Sequence, residues 1–402
     1  MIEKANNKLD DLIEKVSHHS VNKRSSQNLL YHLKYFFGES NNKIHEFTKK
    51  TPLFFYSLKR IGYSLLTILM AVIVIYCLFH FVMKDETLIK DLNGVMDKLK
   101  LFPGNAKYER IVSSRKKMVG LDGPLLYQIF IYIRNIIPVI PKTVFIQPKL
   151  LDTGDLVATP IKTLFFLGLS VTDLPGFHMQ TPVQTIFKDA MPSSFKLGFP
   201  GVLLSYVFGI PLGIIAGKNK DRKADRLINA LCSVFMVIPA VVTITIFYSV
   251  SLSIGGSTSW VLGGIETKIY AILCVVIFSF SGITLYTRRL VVDEMTTEYT
   301  KFAQSKGLSS RYIFFVHIYR NAFIKMAGSI PATFASTIFG LNILVEGKWG
   351  VRGMGSYVSN AINGNDIFVA MGYVVISAVV GVFAGLLGDL LTAALDPRIK
   401  FR

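Results

Sequence analysis

Cysteine, tryptophan and charge are all scarce in this sequence, which has three Cys, two Trp and only 17% Asp, Glu, Lys and Arg in 402 residues. Soluble domains carry about 25% charged residues, so an ordinary water-facing surface is hard to build from this chain. Cys77, Cys232 and Cys274 all fall in apolar runs, which leaves no disulfide framework and reads them as packing residues. No G-x-x-x-x-G-K-[ST] string, no H-E-x-x-H pair and no Cys cluster occurs, so no phosphate cradle or zinc chemistry is indicated. Among ionisable residues inside the apolar runs, the usual mark of an ion or proton pathway, the one clear candidate is Asp389 near the end of the last run. That is a thin basis for a pump. Internal repeats, which a secondary transporter would show, are absent too.

What is present is length of apolar sequence. Runs occur at Ile61–Met83, Phe195–Gly217, Leu227–Ile254, Ile269–Tyr286, Phe323–Val345 and Ile367–Leu395. A helix needs roughly 20 residues to cross a hydrocarbon core, and backbone satisfaction in lipid favours helices. The expectation is an all-α membrane protein with six transmembrane helices. The placement of the net charge of +18 matters more than its size. "GKNKDRKADR" carries Lys218, Lys220, Arg222, Lys223 and Arg226, and the stretch after the fourth run carries Arg288, Arg289, Lys301, Lys306, Arg311, Arg320 and Lys325. Short cation-rich loops stay in the cytoplasm, which predicts both termini inside and no need for a nucleic-acid partner. Lys84–Asp189, long enough to escape the charge rule, is placed outside.

The chain divides into five segments: a cytoplasmic N-terminal extension (1–57), a first span (58–83), an extracytoplasmic loop region (84–193), a core with spans two to six (194–395) and a cytoplasmic end (396–402). Met1–Thr51 lacks the apolar core and cleavage site of a signal peptide. Within it, Leu29, Leu30, Leu33, Phe36 and Phe37 recur at helical spacing, fitting a helix on the inner membrane surface or one packed on a complex. In the outer region "PLLYQIFIYIRNIIPVIPKTVFIQ" is apolar, but Arg134, Pro138 and Pro141 argue for an amphipathic helix followed by extended chain rather than a seventh span.

Between the fourth and fifth runs lies "EYTKFAQSKGLSSRYIFFVHIYRNAF", Glu298 to Phe323, polar and basic. Thr297 is placed to cap a helix whose first turn holds Glu298. Tyr299, Phe302, Ala303 and Lys306 recur on one face, and Gly307 is a stop able to take positive φ. Ser309 or Ser310 then starts a second helix. The residues alone fit either a docking knob or an ordinary loop helix on the membrane surface. The stretch resembles the cytoplasmic loop of ABC-importer permeases, in the dipeptide/oligopeptide/nickel permease family, which reads like "EYxRTARAKGLSxxRVxxRHALRNAL". "LKRIGYSLLTILMAVIVIY", "GLDGPLLYQ", "FGIPLGIIAG" and the terminal "LDPRIKFR" are similar to that family as well. The similarity runs from Leu58 to Arg402, apart from an extra piece near Asn135–Phe165.

The resemblance implies a type I ABC importer permease architecture: six spans, a large extracytoplasmic loop between helices 1 and 2, and a coupling loop at 290–322. It implies that Glu298, Tyr299, Phe302, Ala303, Lys306, Gly307, Leu308, Arg311, Arg320 and Asn321 couple to ATPase subunits. Glu346, Trp349, Gly353 and Gly355 are implied as an external gate, with Trp349 as a rigid aromatic surface there; Val351 and Arg352 depart from the family's Trp-Pro. The implied partners are a second permease subunit, two ABC ATPase subunits, an extracytoplasmic substrate-binding protein and membrane lipid. ATP would be hydrolysed by the partners, and this chain would bind no cofactor or metal. Peptides are the implied substrate in a plasma or inner membrane; a nickel or small-solute permease, and then a secondary transporter, are the alternatives.

Overall fold

A computed structural model of the chain describes residues 52–82, 85–98, 102–150 and 156–395. It has two units, Met1–Arg60 with Lys400–Arg402, and Ile61–Ile399. The second carries nearly all of the described residues. The amphipathic repeat around Leu29–Phe37 and the terminal "DPRIKFR" lie outside the described residues.

The chain is mostly helical. Five helical stretches are long and apolar enough to cross a bilayer: Leu58–Phe81, Val183–Lys218, Ile265–Met295, Ser310–Lys348 and Ile367–Leu395. They belong to α1 (Pro52–Val82), α6 (Val183–Lys218), α9 (Ile265–Met295), the compound stretch from Ser310 to Lys348, and α15 (Ile367–Leu395). The run expected as one span at Leu227–Ile254 is instead two helices, α7 (Lys223–Val237) and α8 (Ala240–Ser253), bent by 93°. The cause is local. Pro239 pushes Ile238 out of the helical region, to φ −62 and ψ 126, and offers no N–H to continue the ladder.

Helices α6 and α9 meet along a glycine stripe. A Cβ on Gly201, Gly209, Gly213 or Gly217 would lie within 3 Å of Val275, Ile283, Thr287 or Val291 respectively. Each pair has the same sequence offset, so the two helices run parallel. The bent pair between them therefore carries the chain back from one end to the other. Without a hydrophobic driving force between helices in lipid, such close backbone approach is what holds them together. A second close crossing joins Gly328 to Gly388.

The compound stretch from Ser310 to Lys348 is interrupted twice. Ile313–Tyr319 and Thr337–Leu341 are π-helical, on either side of α12 (Arg320–Ser336), and α13 (Asn342–Lys348) ends the stretch. At the second interruption the Tyr373 hydroxyl donates to the Phe339 carbonyl, which satisfies a backbone acceptor that water cannot reach.

The segment between α1 and α6 holds short helices α2 (Asp85–Leu88) and α3 (Asn93–Lys98), then α4 (Ala106–Val119) and α5 (Leu125–Ile136). Asn105 caps α4 by accepting from the Lys107 amide at 3.0 Å, and Gly120 ends it at φ +80. An antiparallel hairpin comes next, β1 (Lys142–Leu150) with β2 (Leu156–Thr163), in the register Lys142↔Thr163 to Leu150↔Leu156 with an irregularity between Ile146 and Lys149. The helix and the extended chain agree with the sequence reading; the pairing into a hairpin adds to it. Asp366, just before α15, draws this segment in. Its carboxylate accepts from the Val171 amide at 2.7 Å, the Thr172 amide at 3.1 Å and the Thr172 hydroxyl at 3.2 Å, and caps α15 through the Val369 amide at 3.2 Å. Burial raises the pKa of that carboxyl above its ordinary range, against the pull of these donors.

Candidate functional site

The polar stretch folds into a short knob between α9 and α12. Helix α10 covers Glu298–Ser305. Gly307 stands just beyond it at φ +73, its amide donating to Gln304 O at 2.9 Å while the Leu308 amide reaches Ala303 O at 3.4 Å. This paired closure needs a left-handed residue at Gly307, the position glycine takes without steric cost. Ser309 then accepts from the Tyr312 amide and starts α11 (Ser310–Tyr312), which runs on through the π-helical turn into α12. The second helix is thus the start of a long membrane stretch rather than a separate piece.

Two expectations at the knob are corrected. Thr297 stands at the N-cap position, but its hydroxyl donates back to Glu294 O at 2.8 Å instead of accepting from the helix start. The residues read as one face also divide. Ala303 is buried and Tyr299 half-buried, whereas Phe302 and Lys306 face out, the Lys306 ammonium 4.5 Å above the Phe302 ring. Lys306 lies past the last helical residue, where helical spacing no longer sets its direction.

Glu294, which the sequence reading passed over, holds the knob from behind. Its buried carboxylate accepts from the Tyr299 hydroxyl and from Lys325 Nζ at 2.5 Å, and Asn321 Nδ2 donates to the Tyr299 oxygen at 3.0 Å. The Thr300 hydroxyl adds a bond to Glu294 O at 2.8 Å. Beneath lies an apolar cluster that includes Val291, Ala303, Phe314, Ile318, Ala322 and Met326. Of the predicted residues, Tyr299, Ala303 and Asn321 are therefore gathered on the inner side. Glu298, Phe302, Lys306, Gly307, Leu308, Arg311 and Arg320 are exposed. Glu298 makes only an exposed pair with Lys301 at 2.8 Å, the kind of contact that contributes about 0–1 kcal/mol.

The basic loop after α6 belongs to the same end of the molecule. Arg288 of α9 grips Asp225 with Nε at 2.5 Å and Nη2 at 2.7 Å, and Lys218 Nζ sits 5.5 Å from the Phe314 ring centre. Asn229 and the Asp221 amide complete the Asp225 site at 2.5 and 2.9 Å. The signal for these residues was present but faint: Asp225 and Glu294 are acids in segments where cations outnumber them.

The opposite end contains the other predicted group. Glu346 is fully buried and accepts from the Gly355 amide at 2.7 Å and the Ser356 amide at 3.2 Å, which caps α14 (Met354–Asn363). A Cβ on Gly353 would strike the Glu346 carboxylate, and one on Gly355 would lie 2.5 Å from the Ile343 backbone. Trp349 is 0% exposed, edge-on to Tyr248 at 5.4 Å, and its carbonyl accepts from the Trp260 amide at 2.7 Å. It offers no aromatic surface; it is the packed centre of the turn. That corrects the expectation, because Val345, Val351 and Leu197 enclose the indole in one buried cluster.

Residues 209–401, which include the knob, match the family model described as binding-protein-dependent transport system inner membrane component. The oligopeptide transport system permease protein AmiC of Streptococcus pneumoniae is 28% identical over 52% of this chain and 42% of its own length. The dipeptide transport system permease protein DppB of Lactococcus lactis subsp. cremoris is 24% identical over 86% of this chain and 99% of its own. The chain spans less than half the length of the first of these relatives. Among solved structures, an inward-facing form of the MetNI methionine ABC transporter gives a TM-score of 0.45 at 15% identity, over 53% of this chain and 97% of that one. Residues 209–401 are thus similar to the binding-protein-dependent transport system inner membrane components.

Proposed function

We propose that the chain is a membrane-spanning permease subunit of an ATP-driven ABC importer, which lines a path for oligopeptides or dipeptides together with a second permease subunit. The observation that carries this reading is the knob. Its back is fixed by Glu294, Tyr299, Asn321 and Lys325, while Phe302, Leu308 and Tyr312 stand exposed at its front. An apolar front on a rigid polar frame fits a socket in a soluble partner, here one of two ATPase subunits. The chain itself hydrolyses no ATP and binds no cofactor in this reading. A substrate-binding protein delivers solute at the other end, where Glu346, Gly353 and Gly355 form a stiff outer turn with Trp349 as its anchor. The names of the relatives support the peptide class.

The bent pair α7 and α8 serves as the sixth span, a reading supported by the parallel course of α6 and α9. Residues 84–193 lie outside, and the knob, the 218–226 loop and both termini lie in the cytoplasm, in keeping with the cation-rich short loops.

Co-purification of the ATPase subunits tests the assignment at Gly307. A Cβ there would meet nothing within 4 Å, so a substitution acts through φ alone, at a cost of about 1–3 kcal/mol for a branched residue. Gly307→Val is expected to insert normally yet lose the ATPase or its coupling to transport. Gly307→Asn, which tolerates positive φ, is expected to retain both. Normal assembly and transport by Gly307→Val would reduce the knob to a surface loop.

A further inference from the structure

Helix α5 is amphipathic the wrong way round for water. Gln128, Tyr132 and Asn135 are turned into the protein, while Leu126 (80% exposed) and Phe130 (60%) face out, continued by Val139 (73%) and Ile140 (63%). A helix washed by solvent gains by the reverse arrangement.

Its height relative to α1 is fixed by two contacts. The Tyr76 hydroxyl donates to Gln128 Oε1 at 3.2 Å, and the Tyr76 and Tyr132 rings lie 5.7 Å apart. Tyr76 stands five residues before Phe81, the end of the apolar stretch of α1, or about 8 Å along a helix that rises roughly 1.5 Å per residue. Interfacial helices are buried about 5–10 Å into the boundary between headgroups and acyl chains. The exposed side of α1 at this height, Val74, Leu78 and Phe81, continues the apolar surface of α5.

The end of α5 supplies an independent sign. The last carbonyls of a helix ordinarily turn to water. Here the buried Lys142 ammonium takes three of them, Arg134 O at 2.5 Å, Asn135 O at 2.9 Å and Ile137 O at 2.7 Å. Such internal satisfaction is what a backbone end removed from water requires. At twelve residues α5 is too short to cross a bilayer.

We propose that α5 and the Ile137–Ile140 turn lie in the outer leaflet as an interfacial helix, which binds lipid acyl chains and anchors the hairpin of β1 and β2 at the membrane surface. The inference rests on α1 crossing the membrane and on residues 84–193 lying outside, and not on the transported solute or the ATPase.

The test uses the full transporter in phosphatidylcholine–phosphatidylglycerol vesicles, with an environment-sensitive fluorophore on one introduced cysteine at a time, at Leu126, Phe130 or Ile140. Ser113, exposed on α4, is the aqueous control. The three membrane sites are expected to emit blue-shifted light. They should lose fluorescence to lipids with a nitroxide near the headgroup more than to lipids with one near the chain end, and should resist iodide. Ser113 should show the opposite. Free quenching of Leu126 and Phe130 by iodide would overturn the proposal. So would insensitivity to both iodide and nitroxide lipids, which would mean that protein covers the face, or stronger quenching by the deep nitroxide, which would mean a span. Because each site is read separately, one poorly expressed variant leaves the others decisive.

Discussion

Glu294 and Gly307 act on the same knob by different physics. Gly307 sets the backbone direction, and the Gly-Leu-Ser-Ser string made that legible, since a glycine after a helical run followed by serines marks a stop and a restart. Glu294 sets the position of the knob, and its partners Tyr299 and Lys325 come from separate elements. No local pattern announces a carboxylate whose cation lies 31 residues further on. Glu294→Gln keeps an acceptor for Tyr299 and loses the charge that holds Lys325. Hydrogen bonds to charged groups contribute about 1.5–3 kcal/mol, and the half-exposed Lys325 side chain brings this toward the lower end, because water solvates the released ammonium. The expected result is a modest fall in the melting temperature of the purified complex, with ATP turnover less tightly linked to transport. Glu294→Leu, which also strands the Tyr299 hydroxyl, should fall further. Equal behaviour of the two variants would mean that the carboxylate only fills space.

At the scale of elements, the apolar runs located the helices because twenty uncharged residues admit few other structures in lipid. They did not give the helix directions or the bend at Pro239, since hydropathy is blind to both. The hairpin escaped for another reason: "KTVFIQPKL" and "LVATPIKT" contain prolines that weaken a strand reading, and their pairing depends on register across a turn. The glycine stripe of α6 stands in its own run, at Gly201, Gly209, Gly213 and Gly217, but the helix it meets cannot be read from that run. Its role can be graded. A Cβ at Gly213 would lie 2.5 Å from Thr287 Cβ and 2.6 Å from Thr284 O, too close to be relieved without parting the helices. Overpacking costs typically about 1–3 kcal/mol. Gly213→Ala should therefore lower thermal stability in detergent and Gly213→Leu should lower it further. Gly282→Ala on α9, where a Cβ meets nothing within 4 Å, should leave it unchanged. Destabilisation by Gly282→Ala as large as that of Gly213→Ala would show that close contact does not govern these sites, since alanine is the better helix former.

For the whole molecule the question is which end faces which compartment. Cation counts gave a direction from the sequence, and the packing now groups the loops by end. Arg288 with Asp225, and Lys218 over Phe314, tie the 218–226 loop to the knob. Asp366 ties Val171 and Thr172 of the segment after α1 to the start of α15. Since α15 begins at one end and α6 and α9 finish at the other, the two groups fall on opposite faces of any membrane that α6, α9 and α15 cross together. Single cysteines at Ser113, Lys220 and Gln304, all exposed, make this measurable with an impermeant maleimide on intact and on opened cells. Ser113 is expected to react from outside, and Lys220 and Gln304 only after opening. The pairing of Lys220 with Gln304 is the sharper demand, because it rests on side-chain contacts and holds whichever way the protein inserts. Reaction of all three from one face would mean that α6 does not cross between Ser113 and Lys220, and would end the six-span reading. Reaction of Lys220 and Gln304 from different faces would contradict the ion pair that joins their ends.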